Sequence, residues 1–244
     1  MKKAPKKDRQ DLVKLSYGMS GKMLNVLSLS TNCINCTRCQ KRHANANTIC
    51  NHCYAFKQLE KPSYKNTSMI KAFNHNADVL TVRELEYQTE IKPIAKEIVS
   101  ACIKNETNKF RIESFGDIHN ENHAKNYLLI CSAIGELSYI YHVNIGFWTK
   151  NYDYLIKAFG ILSEDKKANI RKVTNVVLSS VFVDLMISEK LVAKVETILG
   201  MKVKTFTVMS KDSDKINCGS RDCSTCSKCY TKADETINIF ELLK

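Results

Sequence analysis

The chain has 244 residues, 44% of them hydrophobic and 25% charged, with 37 Lys/Arg against 25 Asp/Glu and a formal net charge of +12. That length can bury an ordinary core, so disulfide staples are not required, and no apolar run reaches the ~20 residues of a membrane-spanning helix. The positive excess is local: residues 1–72 hold 14 Lys/Arg against 3 acids, whereas residues 73–244 hold 23 against 22.

Residues 1–20, with Lys2, Lys3, Lys6, Lys7 and Arg9, read as a basic N-terminal segment ahead of a single α/β domain over 21–244. Residues 23–30 (Met-Leu-Asn-Val-Leu-Ser-Leu-Ser) alternate as a strand does and run straight into Cys33-Ile-Asn-Cys36-Thr-Arg-Cys39, then ten residues, then Cys50-Asn-His-Cys53. Arg38, Lys41, Arg42, Lys57, Lys61, Lys65 and Lys71 lie within and after this cluster, interleaved with Tyr54, Phe56 and Tyr64. A basic face with aromatics suits phosphates and unpaired bases, so nucleic acid is an expected partner of the 1–72 region. The competing reading is a solvated basic tail, or cations that offset thiolate charge.

Helices follow over 63–90 and 93–104, then a strand over 109–114 that ends at Phe115-Gly116-Asp117. A helix over 121–137 has Asn120 as its cap. Beyond it come a strand at 143–149, a helix at 152–159, a strand at 173–179, a helix at 188–199 and a last strand at 203–209. The second cysteine cluster closes the chain: Cys218-Gly-Ser-Arg-Asp-Cys223-Ser-Thr-Cys226-Ser-Lys-Cys229. Strands separated by helices of this length imply parallel βαβ units, wound into an open doubly wound sheet or a partial barrel. In both, function gathers at the carboxyl ends of the strands. Cysteine-rich loops after the first and last strands would put both clusters at that one edge.

Nine of the eleven cysteines fall in these clusters, and Cys-x-x-Cys pairs bring two thiolates to one ion from a single turn. Cys33, Cys36, Cys39, Cys50 and Cys53, with Cys218, Cys223, Cys226 and Cys229, are therefore the expected ligands of two metal centres, zinc or iron–sulfur. A disulfide framework is the competing reading; the chain opens on basic and polar residues without a hydrophobic signal segment, so a cytoplasmic protein is expected. Cys102 and Cys131 sit in apolar helical stretches and read as small buried hydrophobes. At the strand ends, Glu113, Asp117, His119 and Lys150 are candidates for proton transfer or for binding a zwitterion. The plainer role of Asp117 and Asn120 is to make a turn and cap a helix. Trp148 reads as packing.

The motif order resembles the phage and mobile-element "gene product 88" family: a strand, a cluster closing Cys-x-x-Cys-Tyr-Ala, then Arg-Ile-Glu-Ser-Phe-Gly-Asp, Phe-Trp-Thr-Lys, and a Cys-rich tail ending in Tyr230. The resemblance runs from about Leu24 to Tyr230. The layout is also similar to that of radical S-adenosylmethionine (SAM) enzymes, a parallel-strand partial barrel whose three cysteines hold a [4Fe–4S] cluster with one open iron for SAM. That likeness implies Cys50 and Cys53 as cluster ligands with a third from Cys33, Cys36 or Cys39, and Ser114, Gly116 and Asp117 as the turn that receives the SAM amine. It implies a reductant protein as a partner, and the host-cell cytoplasm as the location if the chain is phage-encoded. The second cluster would resemble an auxiliary one. The usual Cys-x3-Cys-x2-Cys spacing is absent, and five cysteines also permit a closed four-ligand site. Two alternatives stand beside it: a nucleic-acid binder with two structural zinc sites, and an iron–sulfur protein that transfers electrons.

Overall fold

A computed structural model describes residues 12–19, 21–33, 36–41, 43, 45–53, 67–219 and 222–243. Of the basic face, Lys2, Lys3, Lys6, Lys7, Arg9, Arg42, Lys57, Lys61 and Lys65 fall outside the described residues, as do Tyr54, Phe56, Tyr64 and the Arg38 side chain; Lys41 and Lys71 are exposed. Among the described residues, seven strands form one sheet: β1 Ser16–Tyr17, β2 Leu27–Leu29, β3 Lys109–Ile112, β4 Asn144–Thr149, β5 Thr174–Ser179, β6 Lys204–Met209 and β7 Ile237–Leu242. Their spatial order is their sequence order. Only β1 pairs antiparallel, with β2; every later pair is parallel, as in Leu27↔Phe110, Phe110↔Ile145, Phe147↔Val176 and Leu178↔Thr205. The strand order never reverses, so the sheet has no switch point of the doubly wound kind.

Alternating strand positions supply two different faces. Leu27, Leu29, Phe110, Ile112, Ile145, Phe147, Val176 and Leu178 join the main core with Ile94, Ile98, Leu128, Leu155 and Val195. These last come from α3 Lys92–Lys104, α4 Glu121–Glu136, α5 Tyr152–Gly160 and α7 Glu189–Leu199. Earlier in the chain lie the short α1 Thr37–Gln40 and α2 Ser68–Thr81, and α6 Glu164–Val173 precedes β5. The opposite face carries Val177, Phe206, Val208 and Ile239, covered by Cys229 and Tyr230 of the β6–β7 connection. Tyr230 fits because Gly146 of β4 has no side chain: a Cβ there would stand 3.0 Å from the Tyr230 ring.

Asn120 caps α4 as expected, its Oδ1 accepting from His123 N at 2.9 Å. Ser188 caps α7, which ends at Gly200 in the left-handed conformation, φ 63. The helix expected over 63–90 ends at Thr81; Glu86 accepts from Thr89 N and opens a separate π-helical turn, Tyr87–Ile91, that leads into α3. Residues 63–66 of that span lie outside the described residues. The elements β1, α6 and β7 add to the expected set. Val13 is fully buried and β1 pairs with β2, so residues 13–17 belong to the sheet domain and not to a tail ending at 20. The second cysteine cluster lies in the β6–β7 crossover and not after the last strand.

Candidate metal centre

None of the eleven cysteines is in a disulfide. The first set stands just beyond the carboxyl end of β2, on two tight turns. Cys36 N donates to Cys33 O at 3.1 Å and Gln40 N to Cys36 O at 3.0 Å; Cys53 N reaches Cys50 O at 3.4 Å, closing the turn Ile49–His52 under its cap Thr48. Each Cys-x-x-Cys pair thus shares one turn, as the spacing requires. Cys33, Cys36 and Cys39 are buried against Ile70 and Phe73. The Cys33 and Cys39 sulfurs are 3.7 Å apart. The second turn is strapped across the sheet: Ile49 N donates to Val181 O and Val183 N to Asn47 O, tying this loop to the one after β5. A cavity of about 430 Å³ beside it is lined by Cys50, Lys41, Asn151, Asp153 and Tyr154.

Beneath the first set lies a polar layer. Glu113, only 2% exposed, accepts from Tyr127 Oη at 2.5 Å, from Thr31 Oγ1 at 2.8 Å and from Thr31 N at 3.3 Å. His119 Nε2 meets Asn32 O at 2.7 Å, and that contact makes this nitrogen the donor. His119 N donates to His123 Nδ1 at 3.1 Å, which leaves the neutral His123 proton on Nε2, 3.6 Å from Glu113 Oε1. Thr31 and Asn32 immediately precede Cys33, so Glu113 and His119 grip the chain that delivers it. Gly116 allows the grip: a Cβ there would fall 2.4 Å from Glu113 Oε2 and 2.7 Å from Thr31 O. Burial pushes the Glu113 carboxyl up to about 7, against the pull of Tyr127 and Thr31. Burial lowers His119, and His123 further.

Asp117 is equally committed. It accepts from Thr149 Oγ1 at 2.6 Å, Ile118 N at 2.8 Å and Lys150 N at 2.9 Å, with Lys150 Nζ 3.9 Å away. Although burial opposes its charge, Asp117, Cys50, Cys53 and Cys36 together hold the Lys150 ammonium above the usual lysine range. Ser114 Oγ meets Ser30 Oγ at 2.7 Å and Ser28 Oγ at 3.3 Å. Of the six non-cysteine groups expected at the strand ends, Ser114, Gly116 and Lys150 keep partial exposure, while Glu113, Asp117 and His119 are buried. Asn151 completes the layer, donating to Ile118 O at 2.6 Å and to Cys36 Sγ at 3.5 Å.

The second set sits elsewhere, on the sheet face away from the helices. Cys223–Cys226 form one helical turn, α8, capped by Asp222; Ser227 turns left-handed, φ 59, and swings Cys229 back onto the sheet. All four thiols line a cavity of about 700 Å³ with Lys22 and Glu241. Lys22 pairs with Glu241 and reaches Cys218 Sγ at 3.6 Å. Arg111 lies over the Trp148 ring at 4.2 Å and pulls the Cys223, Cys229 and Tyr230 protons toward release, against burial. Lys109 donates to Ser224 O, Lys204 to Thr231 O and Lys232 to Thr174 O. The expectation that both sets share one edge of the sheet is therefore corrected: there are two separate places, one at the strand ends and one on a face. The reason is the unforeseen β7, which makes the cluster a crossover and folds it back under the sheet.

Thiols stand beside a cation at both places, Lys150 at the first and Lys22 at the second, and such cations offset the charge of thiolate ligation. As the chain stands, no three His, Cys, Asp or Glu side chains among the described residues converge closely enough to hold an ion. Among the described residues, no helix is long and apolar enough to cross a membrane. The chain matches no protein-family model, no curated protein and no solved structure. Sequence reasoning missed Thr31, Asn32, His123, Tyr127, Arg111 and Lys22. His123 and Tyr127 stand four residues apart on α4, and His119 lies four residues before His123, a spacing that was open to reading as shared contact.

Proposed function

We propose that the chain is an iron–sulfur protein of phage or mobile-element type with a radical-SAM-like partial barrel, acting on nucleic acid. The observation that carries this is the first thiol set itself: five cysteines, none in a disulfide, beyond the carboxyl end of the first parallel strand, near Lys150 and beside a cavity lined by Cys50. Six parallel strands in unbroken sequential order support the barrel reading, because strand twist accumulates in one sense and right-handed crossovers keep the helices outside. The resemblance to the gene product 88 family rests on motif order alone.

A cluster with an open iron, held by the first thiol set, would supply one-electron chemistry toward SAM. The chain's own residues orient and shield. Ser114 and Lys150 present a hydroxyl and a cation to a zwitterion, Asp117 fixes the Lys150 backbone, and Glu113 and His119 hold the cysteine limb. The basic 1–72 region supplies the phosphate contacts. The test is anaerobic reconstitution, with iron, sulfide and zinc measured on one sample and absorbance recorded near 400 nm. Matched iron and sulfide, SAM cleavage, and loss of both cluster and cleavage in Cys53→Ala are expected; cleavage that survives Cys53→Ala overturns the assignment. Nucleic-acid binding should weaken steeply with salt.

One observation favours a second reading, structural zinc. A tetrahedral ion with metal–sulfur bonds of about 2.3 Å spaces its sulfurs ~3.8 Å apart, close to the 3.7 Å between Cys33 and Cys39. A colourless protein with about two zinc ions per chain would establish it instead.

A further inference from the structure

We infer that the cavity beside the first thiol set takes one unpaired base of a single-stranded nucleic acid, with Asp153 as the group that selects guanine. This rests on the nucleic-acid reading above and names the substrate class of that same site. The space of about 430 Å³ suits one small ligand, since such pockets run from roughly 300 to 1,000 Å³, and it is far too little for a duplex. Its lining divides into engaged and unengaged groups. Asn151 is engaged with Ile118 O, and Thr48 caps the turn Ile49–His52. Among the described residues, the Asp153 carboxylate, the Tyr154 hydroxyl and the Lys41 ammonium have no hydrogen-bond or ion-pair partner, and all three line this cavity. The acids Glu113 and Asp117, by contrast, are held by the chain around them. Asp153 also stands in the first turn of α5, where a carboxylate suits the helix dipole; the experiment below separates that role from recognition.

A free carboxylate offers two adjacent acceptors. Of the four common bases, guanine alone presents two adjacent donors on one edge, its ring N1–H and its exocyclic amine, so it alone can use both oxygens. Tyr154 is half-buried, packed on the main core while lining the cavity. A ring held in that way loses little freedom when a base stacks on it. Lys41, exposed on the cavity lining, supplies charge for a neighbouring phosphate, in keeping with the 14 Lys/Arg against 3 acids of residues 1–72. An independent feature is the loop after β5, which contributes Val181 to the lining. Its tip leaves Leu185 and Met186 exposed, by 56% and 49%, yet its backbone is fixed. Ser180 Oγ meets Leu185 O at 2.5 Å, Asp184 N donates to Val208 O at 2.9 Å, and the Asp184 carboxylate accepts from Ser210 N at 2.8 Å, with Asp184 at φ 58. Apolar side chains held in water on the loop that lines a base-sized cavity suit insertion between bases, which parts one base from its neighbours.

The test is fluorescence anisotropy of the full chain with labelled oligouridine strands of about 12 nucleotides, the central uridine kept or replaced by guanosine, adenosine or cytidine, and with the guanosine strand annealed to its complement. Wild type is expected to bind the guanosine strand about tenfold more tightly than the other three, and more tightly than the duplex. Asp153→Asn exchanges one acceptor for a donor and should erase that preference, while affinity for plain oligouridine changes by less than about twofold. Tyr154→Ala should weaken every single strand by about tenfold through lost stacking, and Tyr154→Phe, which keeps the ring, should bind as wild type does; thermal melting confirms that each variant folds. Equal affinity for the four central bases, a guanine preference that survives Asp153→Asn, or tighter binding of the duplex each overturns the pocket. A lower melting temperature in Asp153→Asn with the preference intact assigns Asp153 to the helix dipole alone. Wild-type protein that binds no strand even at low salt overturns the nucleic-acid reading itself, a result distinct from binding without base preference.

Discussion

At the scale of single residues, Glu113, Asp117 and His119 are buried and hydrogen-bonded to the chain around them. Glu113 stands at φ 58, a left-handed conformation unusual for a residue with a side chain, and spends its oxygens on Thr31 and Tyr127. Its burial gives a pH signature. The folded carboxyl titrates near 7, above its unfolded value of 4.5, so the folded state holds one proton more between those limits. The corresponding stability is complete below 4.5 and is lost as pH rises through about 7. Denaturation midpoints between pH 5 and 8 should therefore fall with pH in the native protein and stay flatter in Glu113→Gln; equal slopes would show that Glu113 does not control this titration. Which residue types gather at the strand ends was legible in the sequence. Their roles were not, because a carboxyl that touches a backbone amide 82 positions away reads the same as one that touches substrate.

At the scale of elements, the strands and most helices followed from alternation and from caps. Asn120 is the clearest case: it binds His123 N and also donates to Thr81 O, so one side chain starts α4 and ties it to the end of α2. Asn120→Ala should cost about 1 kcal/mol from the cap alone, read as a lower melting temperature; a change within a few tenths would mean that the tie is immaterial. The elements that were missed failed for physical reasons. The polar helix α6 has just two buried positions, Ile170 and Val173, too few to make a periodic stripe. Its acidic start at Glu164 and Asp165 and basic end at Arg171 and Lys172 match the helix dipole and were the available cue. The β7 strand ends the sheet order, paired with β6 and bridged at Glu241 to Cys218, and it followed a cysteine cluster that looked like the end of the fold.

At the scale of the whole molecule, the sheet is covered by two unlike materials. Regular helices seal one face; the 210–236 connection seals the other with one short helical turn, lysine side chains bonded to Ser224 and Thr231 carbonyls, and four thiols. If the second thiol set holds a metal as proposed, removing it should loosen this cover selectively. Amide exchange after chelation is expected to rise in 218–230 and β7 while β3, β4 and α4 stay protected; uniform loss of protection would show that the metal supports the entire fold.

The unbroken strand order also has a bearing on synthesis. Each parallel strand pairs with the one translated just before it, so the sheet can lengthen strand by strand as the chain leaves the ribosome, without waiting for a distant partner. The covering of the second face is the exception. Trp148 and Val177 emerge well before Tyr230, and during that interval their side of the sheet lies bare to water. The nascent protein is therefore most prone to stick to other chains late in its making, and a ribosome paused between β5 and the last cysteine would expose that risk.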